Sequence, residues 1–424
     1  MMLFEQGGPQ CVLHDEDLKK GLYQALEAFG AGKKVLALPP DVTRIHSKAG
    51  HLTCWLYEYY GDALTDIMPT LGTHTPMNGE QINRMFPGIP HSLFREHQWR
   101  HDLCTLGRVP SSFVNEVSGG LLDWDWPAQV NRLLSHGGHD VIFSPGQVVP
   151  HEVMGMANHA KNIFIGAGGA EAIHKSHFLG AVCGMERIMG RTDTPVRAIL
   201  DYGMEHFASH LPIVFALTVL GPDVHGSLVV RGLYIGTGRE CFEKAAALSR
   251  EVNFSVVSKP FSTCVVNLDP VEYRSTWLGN KAIYRTRMAM ADGGKLIILA
   301  PGLKEFGEDS EIDEVIRRYG YQGTDMVLDA VKNHKDLSGN LAAAAHLIHG
   351  STEGRFDVVY APGKGMSQQE VESVGYSYAS YEDMAARYDS ESLKPGWNQR
   401  GDEEIFYVSN PALGLWAHSE RLIF

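Results

Sequence analysis

At 424 residues the chain exceeds one ordinary domain, so two domains with a cleft between them and a large buried core are expected. A formal net charge of −13, with no basic run, argues against a nucleic-acid partner, which needs a cationic surface to displace counterions. The chain lacks an uncharged apolar stretch long enough for a bilayer, and MMLFEQGGPQCVLHDEDLKKGL lacks the charged start and apolar run of a signal peptide, so a cytoplasmic protein without a membrane partner is expected.

In chain order, the apolar pattern predicts a helix over Glu16–Phe29, strands at Lys34–Leu38 and Ala63–Leu71, and a helix over Asn78–Phe86. Strands follow at Asp140–Phe143 and Asn162–Gly166, then a helix at Ala170–Gly184, strands at Ile213–Leu220 and Leu228–Ile235, and a helix at Arg239–Val252. Phe254–Val257 and Cys264–Asn267 read as strands in the passage to a second domain. That domain has strands at Leu296–Ala300 and Asp357–Tyr360, helices at Lys281–Ala291, Glu311–Tyr319 and Gly339–His349, and a polar, irregular tail after Ser390. Strands interleaved with helices imply βαβ units, hence an α/β fold of two domains with mostly parallel sheets flanked by helices. The expected division is 1–255, a smaller α/β domain over 265–390, and a tail over 391–424.

Three polar knots stand out. Val35–Leu38 runs into Pro39-Pro40-Asp41-Val42-Thr43-Arg44, and the run ending at Leu71 runs into Gly72-Thr73-His74-Thr75-Pro76-Met77. The third is Pro150-His151, with Lys161 ten residues on and His177 beyond it. Neutral imidazole accepts protons or binds a borderline metal, and a pocketed Lys can bond covalently to a cofactor. In open α/β sheets ligands bind outside the carboxyl ends of the strands, where such loops gather. Each residue also suits a plainer role: Asp41 and Arg44 a loop ion pair, His74 a turn cap, His151 a core position, Lys161 and Lys281 solvated charges.

DVTR, GTHTPM, the Pro-His with its Lys, and the later His together resemble the nickel-dependent lactate racemase family, which includes racemases and epimerases of other 2-hydroxy acids. The resemblance covers residues from about 35 to about 310. It implies a nickel-pincer nucleotide tethered through a thioamide to Lys161, with Asp41 and Thr43 also on the cofactor and His177 on the nickel. It implies His74 and His151 as the acid/base pair, and Arg44 and Lys281 as the cations on the substrate.

The sequence departs from the family pattern at two places. Asn158 and His159 stand where the family has two glycines before the tethering Lys, and Trp277-Leu278 stands where it has Tyr-Gln. The stretch from Trp277 through Asn280-Lys281-Ala282-Ile283-Tyr284-Arg285 resembles relatives labelled D-mannonate epimerases, which implies a sugar acid. Inverting C2 of a 2-hydroxy acid means removing a barely acidic hydrogen. Taking it as hydride avoids a carbanion beside a carboxylate, while one His per face handles the hydroxyl proton. Other readings are an epimerase using another divalent metal and two bases, a silent nucleotide or sugar-acid binding protein, and a hydrolase or lyase using the same His pair.

Lesser signals remain. Gly236-Thr237-Gly238 after an apolar run looks like the start of a dinucleotide loop but lacks the third glycine. His346 and His349, three apart on a helix, suit a metal or, with apolar neighbours, a packed pair. His174 is a substitute ligand or outer partner for His177, and Gly166-Ala167-Gly168-Gly169 is a phosphate turn or a simple tight turn. The six cysteines show no CxxC spacing, so reduced, packed thiols are expected.

Overall fold

The computed structural model describes residues 1–30, 32–223 and 225–422. The chain divides into two units, Met1–Leu179 with Ile188–Asn253, and Gly180–Arg187 with the stretch from Phe254 onward. Among the described residues no helix is long and apolar enough to cross a membrane. All six cysteines are free thiols, with Cys183, Cys241 and Cys264 buried.

The strands of the first unit are β1 (Met2–Gly7), β2 (Val35–Ala37), β3 (Leu64–Ile67), β4 (Leu103–Val109), β5 (Trp126–Asn131), β6 (Val141–Gln147), β7 (Pro150–His151), β8 (Gly155–Met156), β9 (Ile213–Pro222) and β10 (Leu228–Gly236). Six of them form one sheet in the order β1-β10-β9-β6-β2-β3. The β9–β6–β2–β3 half is parallel and β1–β10–β9 is antiparallel. β6 is buried along its whole length and β9 along all but its last residue, as central strands covered on both faces must be.

The helix Asp15–Phe29 shows why the flanking helices form where they do. Asp15, Glu16 and Asp17 crowd its first turn, where carboxylates favour the helix dipole, and Leu18, Leu22, Ala25 and Leu26 make a buried stripe at helical spacing. That stripe joins Val35, Phe143, Val214 and Ile235 in one core.

Several elements differ from expectation. Asn162–Gly166, predicted as a strand, is a wide helical turn. A five-residue apolar run bounded by glycine suits a buried strand or a buried turn, and periodicity alone does not separate them. Here the Asn162 side chain bonds segments around the sheet instead of the run pairing into it. β1, the β4–β5 hairpin and the helices Ala49–Tyr60 and Pro195–Phe207 were not predicted. In the Gly166–Gly169 turn, a Cβ on Gly168 would lie 1.7 Å from the Phe164 carbonyl oxygen, so close packing of a tight turn requires glycine there.

The second unit contains β11 (Ser255–Val257), β12 (Phe261–Asn267), β13 (Met290–Ala300), β14 (Asp357–Pro362), β15 (Ser377–Tyr378), β16 (Gly396–Arg400), β17 (Glu403–Val408) and β18 (Trp416–His418). Its main sheet runs β15-β14-β13-β12-β17-β16, parallel except for the β16–β17 hairpin. The stretch after Ser390, read as irregular, thus supplies three strands. Ile405 and Tyr407 of β17 are buried beside Val265, a contact remote in sequence that local pattern does not reveal. Both units together are α/β with mainly parallel sheets flanked by helices.

His346 and His349 lie on the helix Leu341–Gly350. The His346 ring nitrogens bond the hydroxyls of Tyr284 and Tyr321, each at 3.0 Å, and the ring stacks on Trp277 at 4.2 Å. It is a packed histidine with both nitrogens engaged. Burial, reinforced by His349, pushes its pKa down to about 3 from 6.5. The native state therefore refuses a proton that the unfolded chain accepts below pH 6.5, and stability is lost as pH falls from 6.5 towards about 3. We expect this residue alone to remove about 2 kcal/mol from the second unit between pH 6.5 and about pH 5. Denaturant unfolding against pH checks it: His346→Phe should lower the proton uptake on unfolding by close to one, and an unchanged slope would refute it.

Candidate active site

β6, β2 and β3 are neighbours and parallel, so the loops leaving their carboxyl ends emerge on one edge of the sheet. These loops carry Asp41, His74 and His151. Asp41 is buried at 4 % exposure and caps the short turn Val42–Ser47, accepting hydrogen bonds from the Thr43 amide at 3.1 Å and from the Thr43 hydroxyl. His74 Nδ1 lies 2.7 Å from the Asp41 carboxylate. Burial works against the Asp41 charge, but the bonds from His74 and Thr43 outweigh it and hold the carboxyl below its usual range. An ionised Asp41 accepts, so His74 carries its proton on Nδ1 and keeps its lone pair on Nε2. With 60 % of the His74 side chain exposed, that nitrogen is the acceptor of an Asp–His pair on an accessible loop.

His151 is built differently. It ends β7 of a two-residue hairpin with β8, and its Nδ1 accepts from the amides of Val153 at 3.1 Å and Met154 at 3.4 Å. Its proton therefore sits on Nε2. Burial pushes its pKa down to about 3; Glu152 pulls the other way, and Lys161, His177 and Arg44 add to the drop. His151 is thus a neutral hydrogen-bond donor, and His74 a hydrogen-bond acceptor.

Lys161 is half-buried just ahead of the Asn162–Gly166 turn. Its pKa falls to about 8, chiefly through burial and then the Arg44 guanidinium, with Glu152 and Asp41 opposing and Arg197 assisting. An amine so placed has a far greater neutral, nucleophilic fraction near neutrality than an ordinary lysine. His177 lies on the helix Ala170–Val182 and donates Nδ1–H to the Ile173 carbonyl at 2.7 Å, which leaves Nε2 as its lone-pair nitrogen. Burial, with Lys161 and His174 adding to it, lowers its pKa to about 4, so it is the neutral form that binds metals. His174, three residues earlier, is half-buried, its basicity lowered by burial and then by Arg100.

The fold of unit 1 thus gathers Asp41, Thr43, Arg44, His74, His151, Lys161 and His177 into one neighbourhood. Lys281, at the start of the helix Lys281–Thr286, is carried by the second unit. Among the described residues no group of three or more His, Cys, Asp or Glu is placed to hold a metal.

Three supporting residues escaped the sequence reading. Asn162 accepts from the Thr70 hydroxyl at 2.7 Å and donates to the Leu38 carbonyl at 3.0 Å and the Ser144 hydroxyl at 2.8 Å, so it staples the ends of three strand segments beside Lys161. Glu152 faces both His151 and Lys161. Arg197 is fully buried and donates to the carbonyls of Met156 and of Asn158, the latter at 2.9 Å, clamping the loop before Lys161. Asn162 sits next to a flagged Lys, the only local signal; for Arg197, within an amphipathic helix, there was none. Asn158 and His159 both adopt left-handed backbone, with φ of 69° and 57°. The conformation that glycine adopts freely is retained here by side chains for which it is unfavourable by about 1–2 kcal/mol each.

No protein-family model matches the chain, and no curated protein matches it either. Solved structures do. A crystal structure of a Thermotoga maritima protein superposes with a TM-score of 0.77 at 26% identity, over 98% of this chain and 100% of that one. The lactate racemase apoprotein from Thermoanaerobacterium thermosaccharolyticum superposes with a TM-score of 0.69 at 14% identity, over 97% of this chain and 94% of that one. The chain has a lactate racemase-like fold. Within that fold, Asp41, Arg44, His74 and His151 follow the carboxyl ends of its parallel strands, where α/β sheets take ligands.

Proposed function

We propose that this protein is an isomerase, a racemase or epimerase that inverts C2 of a 2-hydroxy acid, with an aldonate such as mannonate or gluconate as substrate. The observation that carries the reading is the convergence of an Asp41–His74 pair, a donor His151, a low-basicity Lys161 and a neutral His177 in one unit of a lactate racemase-like fold. For the sugar acid, support comes from the stretch Trp277 through Arg285, which resembles that of relatives labelled D-mannonate epimerases.

The residues fit a nickel-pincer nucleotide. Lys161 offers an amine of lowered basicity for a covalent tether, and His177 offers one imidazole nitrogen, all that a metal bringing its own donors needs from the protein. Asp41 and Thr43 form the turn beside Lys161. When bound, such a group supplies a hydride acceptor and donor. His74 Nε2 takes the C2-hydroxyl proton and returns it, with Asp41 stabilising the imidazolium. His151 Nε2–H donates to the substrate oxygen, and Arg44 is assigned to the carboxylate.

The test follows the hydrogen. Substrate carrying deuterium at C2, turned over in ordinary water, is expected to give an epimer that keeps its label, because a hydride held away from solvent does not exchange. Full washout, read by mass spectrometry of the product, would replace this reading with proton transfer between two side-chain bases.

A further inference from the structure

The helix Arg239–Asn253 begins directly after the Gly236-Thr237-Gly238 turn. Phe242, in its first turn, packs with two buried polar side chains. The Arg197 guanidinium lies 4.2 Å from the Phe242 ring centroid, and the His159 ring stacks on it at 5.2 Å. His159 also packs on Phe215 at 4.2 Å.

Arg197 is 0 % exposed and His159 is 4 % exposed. The Arg197 Nη2 serves the loop carbonyls of Met156 and Asn158, but its Nε and Nη1 have no hydrogen-bond partner. Neither ring nitrogen of His159 has one; the Gly238 main chain faces the ring but falls outside hydrogen-bond geometry. The charged groups facing Arg197 are Asp201, Arg239 and Lys161, one anion against two cations. Asp201 is bonded to Arg239, whose remaining donors go to Glu243 and the Thr192 carbonyl. Arg197 is therefore a buried cation with two unused donor nitrogens and no hydrogen-bonded counterion. Leaving such a group uncompensated is among the largest destabilising effects known in protein interiors.

The same place has the opposite bias for an anion. The amino end of the helix Arg239–Asn253 carries a partial positive charge, and His159 can turn an N–H toward a ligand. We propose that Arg197, with His159 and the Gly236–Gly238 turn at the amino end of this helix, forms a binding site for a small monovalent inorganic anion of the halide class. Burial selects the class: a multiply charged phosphate would lose far more hydration on entering so enclosed a site, and one negative charge suffices to balance one guanidinium. The anion neutralises the side chain that clamps the loop before Lys161, so it stabilises the first unit through that loop.

Thermal unfolding of the full chain, with sodium glutamate exchanged for sodium chloride or bromide at constant ionic strength, tests the site. The midpoint is expected to rise saturably with halide by about 2–4 °C, and Arg197→Met should abolish the rise. Should Arg197→Met fail to fold, His159→Phe, which keeps the ring packing, should weaken halide binding at least several-fold. In bromide-soaked crystals of the unmodified protein, an anomalous peak is expected within hydrogen-bond distance of Arg197 Nε or Nη1. A midpoint that is insensitive or linear in halide would overturn the proposal, as would a crystal site holding only water.

Discussion

Lys161→Ala is expected to remove turnover entirely while leaving the fold in place. The amine is half-buried, and the turn after it is held by Asn162 and the loop before it by Arg197, neither of which needs the Lys161 side chain. Intact-mass measurement of protein from its native host should show an adduct on the unmodified chain and none on Lys161→Ala, with thermal midpoints alike. Lys161→Arg should fail equally, because a guanidinium stays charged and cannot form an amide-type bond at ordinary pH. Turnover or a retained adduct in either variant would remove Lys161 from the proposed chemistry.

Asp41→Asn is expected to lower kcat by about 10²–10⁴-fold with a much smaller change in KM. The buried carboxylate sets which nitrogen of His74 carries the proton, and an amide can present its N–H to Nδ1 and reverse that choice. His74→Gln should lose as much, and the double variant little more than either single one, because the two act as a unit. Additive losses would sink the pairing. The sign of the acid dependence follows from the same contact. Asp41 is held below its ordinary 3.8, so its stabilising contribution is complete above that value and is lost as pH falls through the lowered folded one. His151→Gln should be milder, since a side-chain amide still donates where the His151 Nε2–H did.

How much of this was legible beforehand differs residue by residue. Asp41, His74 and His151 could be found because each follows a short apolar run, and the strand-end loops of parallel neighbours must emerge together. Lys161 and His177 rested on spacing and resemblance. The α/β class was likewise a consequence of local periodicity, since apolar runs and amphipathic stretches alternate along the chain.

The amino-acid sequence by itself determined the α/β class, many of the elements and which side chains could carry chemistry, because propensity, capping and apolar spacing act within a few residues. Tertiary structure alone decided the rest. That His74 presents a lone pair and His151 a proton depends on Asp41, 33 residues from His74, and on the tight turn that sets the Val153 and Met154 amides against His151. That the Asn162 run is a turn depends on partners 92 and 124 residues away. That the last strands complete the second sheet depends on Val265 meeting Tyr407. Tautomer, basicity and sheet membership are set by what burial brings alongside a group, and neighbours that remote leave no trace in a local pattern.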